Sequence, residues 1–208
     1  MDIEHNLGNN SYVIYKPKLF EHLLEDGDFD ELWDLHPTEY GQVKMYGKII
    51  DTPRWQQSYG VPYYFSGMDH PALEFPNIDT LQILKEYVES VEGCEYKQML
   101  MNWYETGSHY IGKHSDNERL IIPQSNIYSF SFGAERVFRI RGKKHTSVGD
   151  KPQLRLDLAM PHGTLIVMGG DMQKHFTHEV PKSTKVKERR INITFRRFIS
   201  SSINAHEA

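Results

Sequence analysis

At 208 residues, 38% of them apolar and 25% charged, the chain suffices for one buried core, and no apolar run nears the roughly 20 residues that cross a bilayer, so no membrane partner is expected. The lone Cys94 excludes an internal disulfide, and the acids flanking it are poor surroundings for a nucleophilic thiolate. A net charge of -4 hides an asymmetry, because residues 1–40 carry ten acids against two lysines and leave the rest of the chain mildly basic.

The first ten residues have neither a basic start nor an apolar stretch, so a secretory signal is not expected and the protein should be intracellular, nuclear or cytoplasmic, and not secreted. A short strand at Ser11-Tyr12-Val13-Ile14-Tyr15 and an acidic helical segment from about Leu19 to Trp33, interrupted near Gly27, make residues 1–40 an acidic extension packed on the core. A second helix starts at Asp79, taken as its N-cap, repeats apolar residues at Leu81, Leu84, Tyr87, Val88 and Val91, and ends at Gly93. Strand patterns follow at 97–104, 127–132, 136–141, 154–159, 164–168 and 190–198, with an earlier one at 43–50. Many short strands around one packed helix predict a mostly β fold with flanking helices, an α+β barrel or sandwich. Residues 199–208 are expected to form a flexible tail.

Chemistry enters at His114-Ser115-Asp116, where residues i and i+2 of an extended segment point the same way and can share one ion. With 11 histidines in the chain such a pair is close to what chance supplies. A third ligand is offered by His178 or by His175, and two histidines with one carboxylate leave open positions, as in non-haem Fe(II) oxygenases. A His2Asp zinc hydrolase uses the same ligand types. His109 and His162 are read as structural. The basic clusters Arg139–Lys144 and Lys182–Arg197 fit either a phosphate-contacting surface or a solvated loop and strand.

From Arg190 to Arg196 the alternation is complete: Arg190, Asn192, Thr194 and Arg196 share one face, Ile191, Ile193 and Phe195 the other. If the polar face looks inward, its guanidinium groups need an anion, and a dicarboxylate answers through paired charge-assisted bonds. Asn102 and Tyr104, again at i and i+2, can add hydrogen bonds to the same ligand.

These residues, with the segments Gln42–Lys48, Pro53–Gly60, Tyr63–Gly67, Asn102-Trp103-Tyr104, Ile111–Glu118 and Ser129–Gly133, stand in the order of a known family. From about Gln42 to Phe198 the sequence resembles the AlkB-like Fe(II)/2-oxoglutarate dioxygenases, closest to the duplex-DNA alkylation-repair demethylase group. The resemblance implies a double-stranded β-helix (jelly-roll) core over 41–198, with a nucleotide-recognition lid at about 41–70. It implies Fe(II) on His114, Asp116 and His178 in preference to His175, and 2-oxoglutarate on Asn102, Tyr104, Arg190, Asn192 and Arg196, with O2 as the oxidant. Substrate residues carried over are Tyr46, Arg54, Tyr63, Phe65, Ser66 and Glu118, with Phe65 stacking on an extruded base opposite His114, and Tyr46 in a wedge, the competing reading of Tyr46 being a plain surface hairpin. Asn117 stands where the closest relatives carry an acid.

The expected activity is oxidative demethylation of 1-methyladenine or 3-methylcytosine type lesions, with alkylated DNA, or RNA, as partner of a monomer. Lys182, Lys185 and Lys187 are expected to grip phosphates. The alternatives are the same oxygenase chemistry on RNA, a small molecule or a protein side chain, and a nucleic-acid-binding module with a degenerate metal site.

Overall fold

The computed structural model describes residues 2–144 and 154–199; residues 200–208 of the expected tail lie outside them. The chain opens with a hairpin of Ile3–Gly8 (β1) and Ser11–Lys16 (β2), followed by the helix Asp26–Trp33 (α1). Two further hairpins, Gln42–Met45 (β3) with Lys48–Asp51 (β4) and Tyr63–Phe65 (β6) with Met68–His70 (β7), flank the strand Trp55–Tyr59 (β5), and Ala72–Leu73 (β8) precedes the helix Asp79–Glu92 (α2). Then come Gln98–Tyr104 (β9), Ile111–His114 (β10), Ile127–Gly133 (β11), Arg136–Gly142 (β12), Arg155–Met160 (β13) and Thr164–Gly170 (β14). A single turn, Met172–His175 (α3), leads to Phe176–Val180 (β15) and Arg190–Arg196 (β16).

Eight strands form one sheet in the order β1-β2-β14-β11-β16-β9-β5-β8, and four form a second in the order β10-β15-β12-β13. Neighbours are antiparallel except β5 and β8. The two sheets face each other as a jelly-roll, with Ile127, Ile166 and Met168 of the large sheet meeting Phe138, Ile140, Leu158 and Val180 of the small one. The other face of the large sheet carries Met99, Met101, Trp103, Phe130, Ile191, Ile193 and Phe195 against Leu81, Leu84 and Val88 of α2 and Leu32 and Trp33 of α1. Each fully buried aliphatic or aromatic side chain there contributes on the order of 2 kcal/mol. The Trp103 indole N–H, taken out of water, donates to the Leu32 carbonyl at 2.8 Å and so costs nothing unpaired.

Three local readings change. Helix α1 covers only Asp26–Trp33, with Gly27 in its first turn rather than at an interruption; residues 17–24 make turns, and the Phe20 N–H donates to the Gly163 carbonyl across the sheet edge. Asp79 is the first residue of α2 and not its cap, which is Ile78, without a side-chain cap bond. The stretch 43–50 is two strands, because Tyr46 at φ 50° and Gly47 at φ 78° form a two-residue turn of the kind that matches strand twist. Gly93, at φ 64°, ends α2 as its sequence position predicts.

Two histidines outside the polar cavity are structural acceptors: His109 Nδ1 takes the Glu105 N–H at 3.2 Å and His162 Nδ1 takes the Gly133 N–H at 3.0 Å. Burial lowers both pKa values below the ordinary 6.5. The unfolded chain therefore binds protons first as pH falls, so stability should be lost from about pH 6.5 downward. Denaturant midpoints at pH 7.5 and 5.5 should differ less in an H109N/H162N double variant, whose amide oxygens keep the acceptors without titrating; an unchanged difference would show that these rings do not set the slope.

Candidate active site

The interior of the jelly-roll is polar at one end, and period two puts it there. On β16 the residues Arg190, Asn192, Thr194 and Arg196 turn away from the α2 face, and β9 sets Tyr104, Asn102 and Gln98 directly across from Arg190, Asn192 and Arg196. Apart from Gln98 these residues enclose, with Ser129 and inner residues of the small sheet, a narrow cavity. His114 on β10 and His178 on β15 are paired neighbours in the small sheet, so their rings lie 4.2 Å apart, and Asp116 follows on the loop after β10.

One ligand atom from each of His114, Asp116 and His178 falls within 4.8 Å of the others; His175 is not part of this group. His114 Nε2 stands 3.6 Å from Asp116 Oδ1, and His178 Nε2 stands 4.0 Å from Asp116 Oδ2. Donors around one first-row ion at right angles are about 3 Å apart, so the three stand slightly wider than a bound ion would hold them. His114 Nδ1 is 2.9 Å from the Gly112 carbonyl, which fixes the tautomer and leaves Nε2 free for an ion. Burial first, then the neighbouring His114 ring, drives the His178 pKa down to about 3, so this imidazole is neutral as a ligand must be. Burial works to raise the Asp116 pKa, but Arg196, with Nη2 at 3.0 Å from Oδ1, and the two neighbouring histidines together outweigh it and keep the carboxylate charged.

Two hydrogen bonds absent from any sequence pattern clamp the halves of this trio together. Ser115 Oγ donates to the Phe176 carbonyl at 2.7 Å, and the Asp116 N–H donates to Gln173 Oε1 of α3 at 2.9 Å. Gln173 carried no signal in the sequence, since its partner lies 57 residues away.

Arg190 is 2% exposed and has no carboxylate partner among the described residues. Its Nη2 donates to Ser131 Oγ at 2.7 Å and its guanidinium lies 4.8 Å over the Tyr104 ring, while Nε and Nη1 are buried without a partner, as is Nη1 of Arg196. Burial pushes the Arg190 pKa down. Such a cation is costly unless an anion meets it, and the cavity at its tip leads to the histidine pair. Asn192 faces the same cavity with both amide hydrogens taken by Ser129 Oγ and the Phe130 carbonyl. Asn102 accepts from Arg54 Nε at 2.7 Å.

Above the trio opens a wider pocket of about 730 Å³, lined by Arg54, Tyr63, Phe65, Ser66, His114 and Glu118 among others. Tyr63 is 5% exposed, and burial raises its pKa to about 12. Burial also raises the Glu118 pKa, and its Oε2 has no partner. The Phe65 and His114 rings lie 6.1 Å apart at 82°. A flat base sandwiched between two rings needs about 7 Å and parallel faces, so Phe65 must turn to admit one. Tyr46 lies apart from this pocket lining, 98% exposed at the tip of the β3–β4 hairpin. Lys182, Lys185 and Lys187 are exposed on the loop after β15, which is tied down by the Arg136 guanidinium on the Pro181 carbonyl and by backbone bonds between Gly107 and both Ser183 and Val186.

The sequence pattern of the 2OG-Fe(II) oxygenase superfamily matches residues 18–196. The chain is 36% identical over 164 residues to the DNA oxidative demethylase ALKBH2 of Homo sapiens, an alignment covering 76% of this chain and 61% of that protein. It is 30% identical over 220 residues to the DNA oxidative demethylase ALKBH2 of Arabidopsis thaliana, covering 92% and 68%. With the alpha-ketoglutarate-dependent dioxygenase alkB homolog 3 of Rattus norvegicus it shares 35% over 150 residues, covering 69% and 50%. The chain thus spans less than two thirds of the human relative's length.

If the Gln173 contact orients Asp116, Gln173→Ala should weaken divalent metal binding by about tenfold, as loss of an outer-shell partner does. Anaerobic Fe(II) titration checks this, and unchanged affinity would show that the clamp is idle.

Proposed function

The chain belongs to the 2OG-Fe(II) oxygenase superfamily, and from that premise we propose that it demethylates N-alkylated bases in nucleic acid oxidatively, using Fe(II), 2-oxoglutarate and O2. The observation that carries the reading is the buried Arg190 guanidinium, without a carboxylate, on the wall of the cavity that reaches His114, Asp116 and His178. The hydrolytic chemistry of a zinc site does not itself call for that charge, whereas a dicarboxylate co-substrate fits it. The names of the most similar relatives, DNA oxidative demethylases, support the substrate class.

The residues present fit both groups. His114, Asp116 and His178 would hold the iron. Arg190 would take the distal carboxylate of 2-oxoglutarate, with Tyr104, Asn102, Asn192 and Arg196 lining its length. When bound, iron, 2-oxoglutarate and dioxygen together supply the oxidising power that converts a methyl group on a base nitrogen to hydroxymethyl, with succinate and carbon dioxide as by-products. The hydroxymethyl group then leaves as formaldehyde, and the nitrogen is restored. The protein's own work is placement. Arg196 keeps Asp116 ionised, and the His114 tautomer is set by the Gly112 carbonyl.

In this reading Phe65 turns to stack on an extruded base over His114, Tyr63 and Glu118 address its edge, and Ser66 and Arg54 complete the wall. Residues of about 41–70 act as the recognition lid, and residues 1–40 as an acidic extension whose β2 joins the large sheet beside β14. Tyr46 is a bulky aromatic at a backbone angle that favours glycine or asparagine, and its ring is almost wholly in water. The fold gains nothing from it there, which supports a role against nucleic acid as a wedge in the gap the extruded base leaves. The exposed lysines after β15 would contact phosphates. The residues proposed to hold iron and 2-oxoglutarate all lie on one chain, which supports a monomer as the working unit, and a nucleic-acid substrate supports a location in nucleus or cytoplasm.

Formaldehyde release from methylated single-stranded DNA, duplex DNA and RNA tests the proposal, with His114→Ala expected to abolish it. Release from none of the three would leave an oxygenase with another substrate. Arg190→Met should raise the 2-oxoglutarate KM by at least about tenfold, the scale of one lost charge-assisted pair; an unaffected KM would remove Arg190 from the co-substrate site. Tyr46→Ala should reduce turnover on duplex DNA more than on single strands, where there is no gap to fill, and equal losses would count against the wedge.

A further inference from the structure

A buried polar chain runs from the co-substrate wall to the base pocket, and its donors and acceptors can be assigned from chemistry alone. Arg54 is 4% exposed and Gln56 is 6% exposed. Arg54 donates from Nε to Asn102 Oδ1 at 2.7 Å and from Nη2 to Gln56 at 2.9 Å. A guanidinium only donates, so the Gln56 atom that meets it is the amide oxygen. The NH2 group is thereby turned the other way, toward the Tyr63 hydroxyl and His70 Nδ1, each at 3.3 Å. Both amide hydrogens are then in use. An amide nitrogen has no lone pair to offer, so the Tyr63 oxygen accepts and its own O–H hydrogen is left over. Burial lowers the His70 pKa, which suits an imidazole accepting at Nδ1. Gly41 packs against this side chain, since a Cβ there would lie 2.8 Å from Gln56 Cγ.

We propose that Gln56 is a positioning residue that fixes Tyr63 as a hydrogen-bond donor into the base pocket. The spare Tyr63 hydrogen faces a pocket whose other polar wall is Glu118, with its unpartnered Oε2. Together they offer one donor and one acceptor. The matching base edge carries an acceptor lone pair beside an N–H or a positive charge, as the N7 and N6 edge of an adenine does. A base presenting a donor to Tyr63 meets the O–H hydrogen and is disfavoured. This inference rests on the proposed reading of Tyr63 as a base contact and adds what sets its polarity.

Polarity, rather than shape, is what the test must isolate, and two substitutions at one position do so. In Gln56→Glu the carboxylate keeps the bond from Arg54 but has no hydrogen to give, so Tyr63 turns its O–H hydrogen to it and withdraws it from the pocket. In Gln56→Met nothing competes for that hydrogen, which stays with the pocket, while Arg54 Nη2 is left unpaired. Stability and base binding should therefore rank the two variants in opposite orders. Thermal unfolding is expected to find Q56E more stable than Q56M. Anisotropy titration of the full chain, anaerobic with Fe(II) and 2-oxoglutarate, would compare an oligonucleotide carrying 1-methyladenine with one carrying 7-deaza-1-methyladenine, which lacks the N7 acceptor. Y63F and Q56E should each lose about tenfold in preference for the base that keeps N7, the value of about one hydrogen bond. The Y63F/Q56E double variant should lose no more than either alone, and Q56M, which frees the Tyr63 hydroxyl to turn without drawing its hydrogen away, should lose less than Q56E. A neutral Y63F variant overturns both the reading of Tyr63 as a base contact and this relay. A damaging Y63F beside a harmless Q56E, additive losses in the double variant, or a Q56M loss as large as that of Q56E overturns the relay alone.

Discussion

Strand β16 is buried on both faces, and the interior it lines has to accommodate a full guanidinium without a carboxylate beside it. Ile191, Ile193 and Phe195 meet helix α2's side of the large sheet, while Arg190 and Arg196 enter the space between the sheets. Apolar packing on the first face forces the charges on the second, because a strand's period of two leaves no other choice. A one-residue slip of β16 against β9 would place the arginines in the helix-side core and the isoleucines in the cavity. Register here is therefore a condition of folding and of the site at once. The two arginines meet this burial differently: Arg196 is neutralised by Asp116, and Arg190 is left for a ligand.

That difference organises the cavity from end to end. The Arg196–Asp116 pair lies beside the histidines, so the acid expected on the metal is held ionised before any ion arrives. The Ser131 hydroxyl and the Tyr104 ring flank Arg190 instead, and these orient a guanidinium without cancelling it. Between them Asn192 uses its amide hydrogens on β11 and so locks the strands that space the two ends. A cavity so arranged is preorganised for a ligand with one anionic end away from the metal, and burial makes each charge-assisted bond there stronger than it would be in water.

Much of this was legible in the sequence where local periodicity carries the information. The alternation of 190–196, the pair Asn102 and Tyr104, and the His-x-Asp spacing reappear in the structure as shared faces, and so does the helical repeat of α2 as far as Val88, whereas Val91 is 57% exposed and falls off that face. The strands β5, β6 and β7 were missed because Trp55–Tyr59 and the short Tyr63–Phe65 and Met68–His70 runs mix polar and aromatic residues without clean alternation. Helix α1 was drawn too long because acidic composition was read as helix across residues that make turns. His178 could be preferred to His175 only by resemblance; the reason in the structure is β15, which starts at Phe176 and aims every second residue inward, so that His175 falls in the preceding turn. Gln173 and Ser115 act through partners 57 and 61 residues away, and no spacing rule reaches them.

The two pockets also differ in how firmly they are built. The metal trio sits on paired strands of the small sheet with cross-links at Ser115 and Gln173, whereas the wall above it hangs on two short hairpins. Every residue of β4 is exposed, and the hairpins are joined to each other by the Lys44 N–H on the Ser66 carbonyl and closed at the base by the Thr52 N–H on the Gly41 carbonyl. Few buried apolar contacts and many solvated backbone bonds mark a region of low local stability. The Phe65 ring standing edge-on to His114, too close for a base between them, belongs to such a region. On the proposed reading a base enters only by moving this ring, while the buried chain through Gln56 and Arg54 stays in place beneath it. The hairpin half of the pocket is then the part that adapts, and the buried Tyr63 hydroxyl the part that holds its polarity.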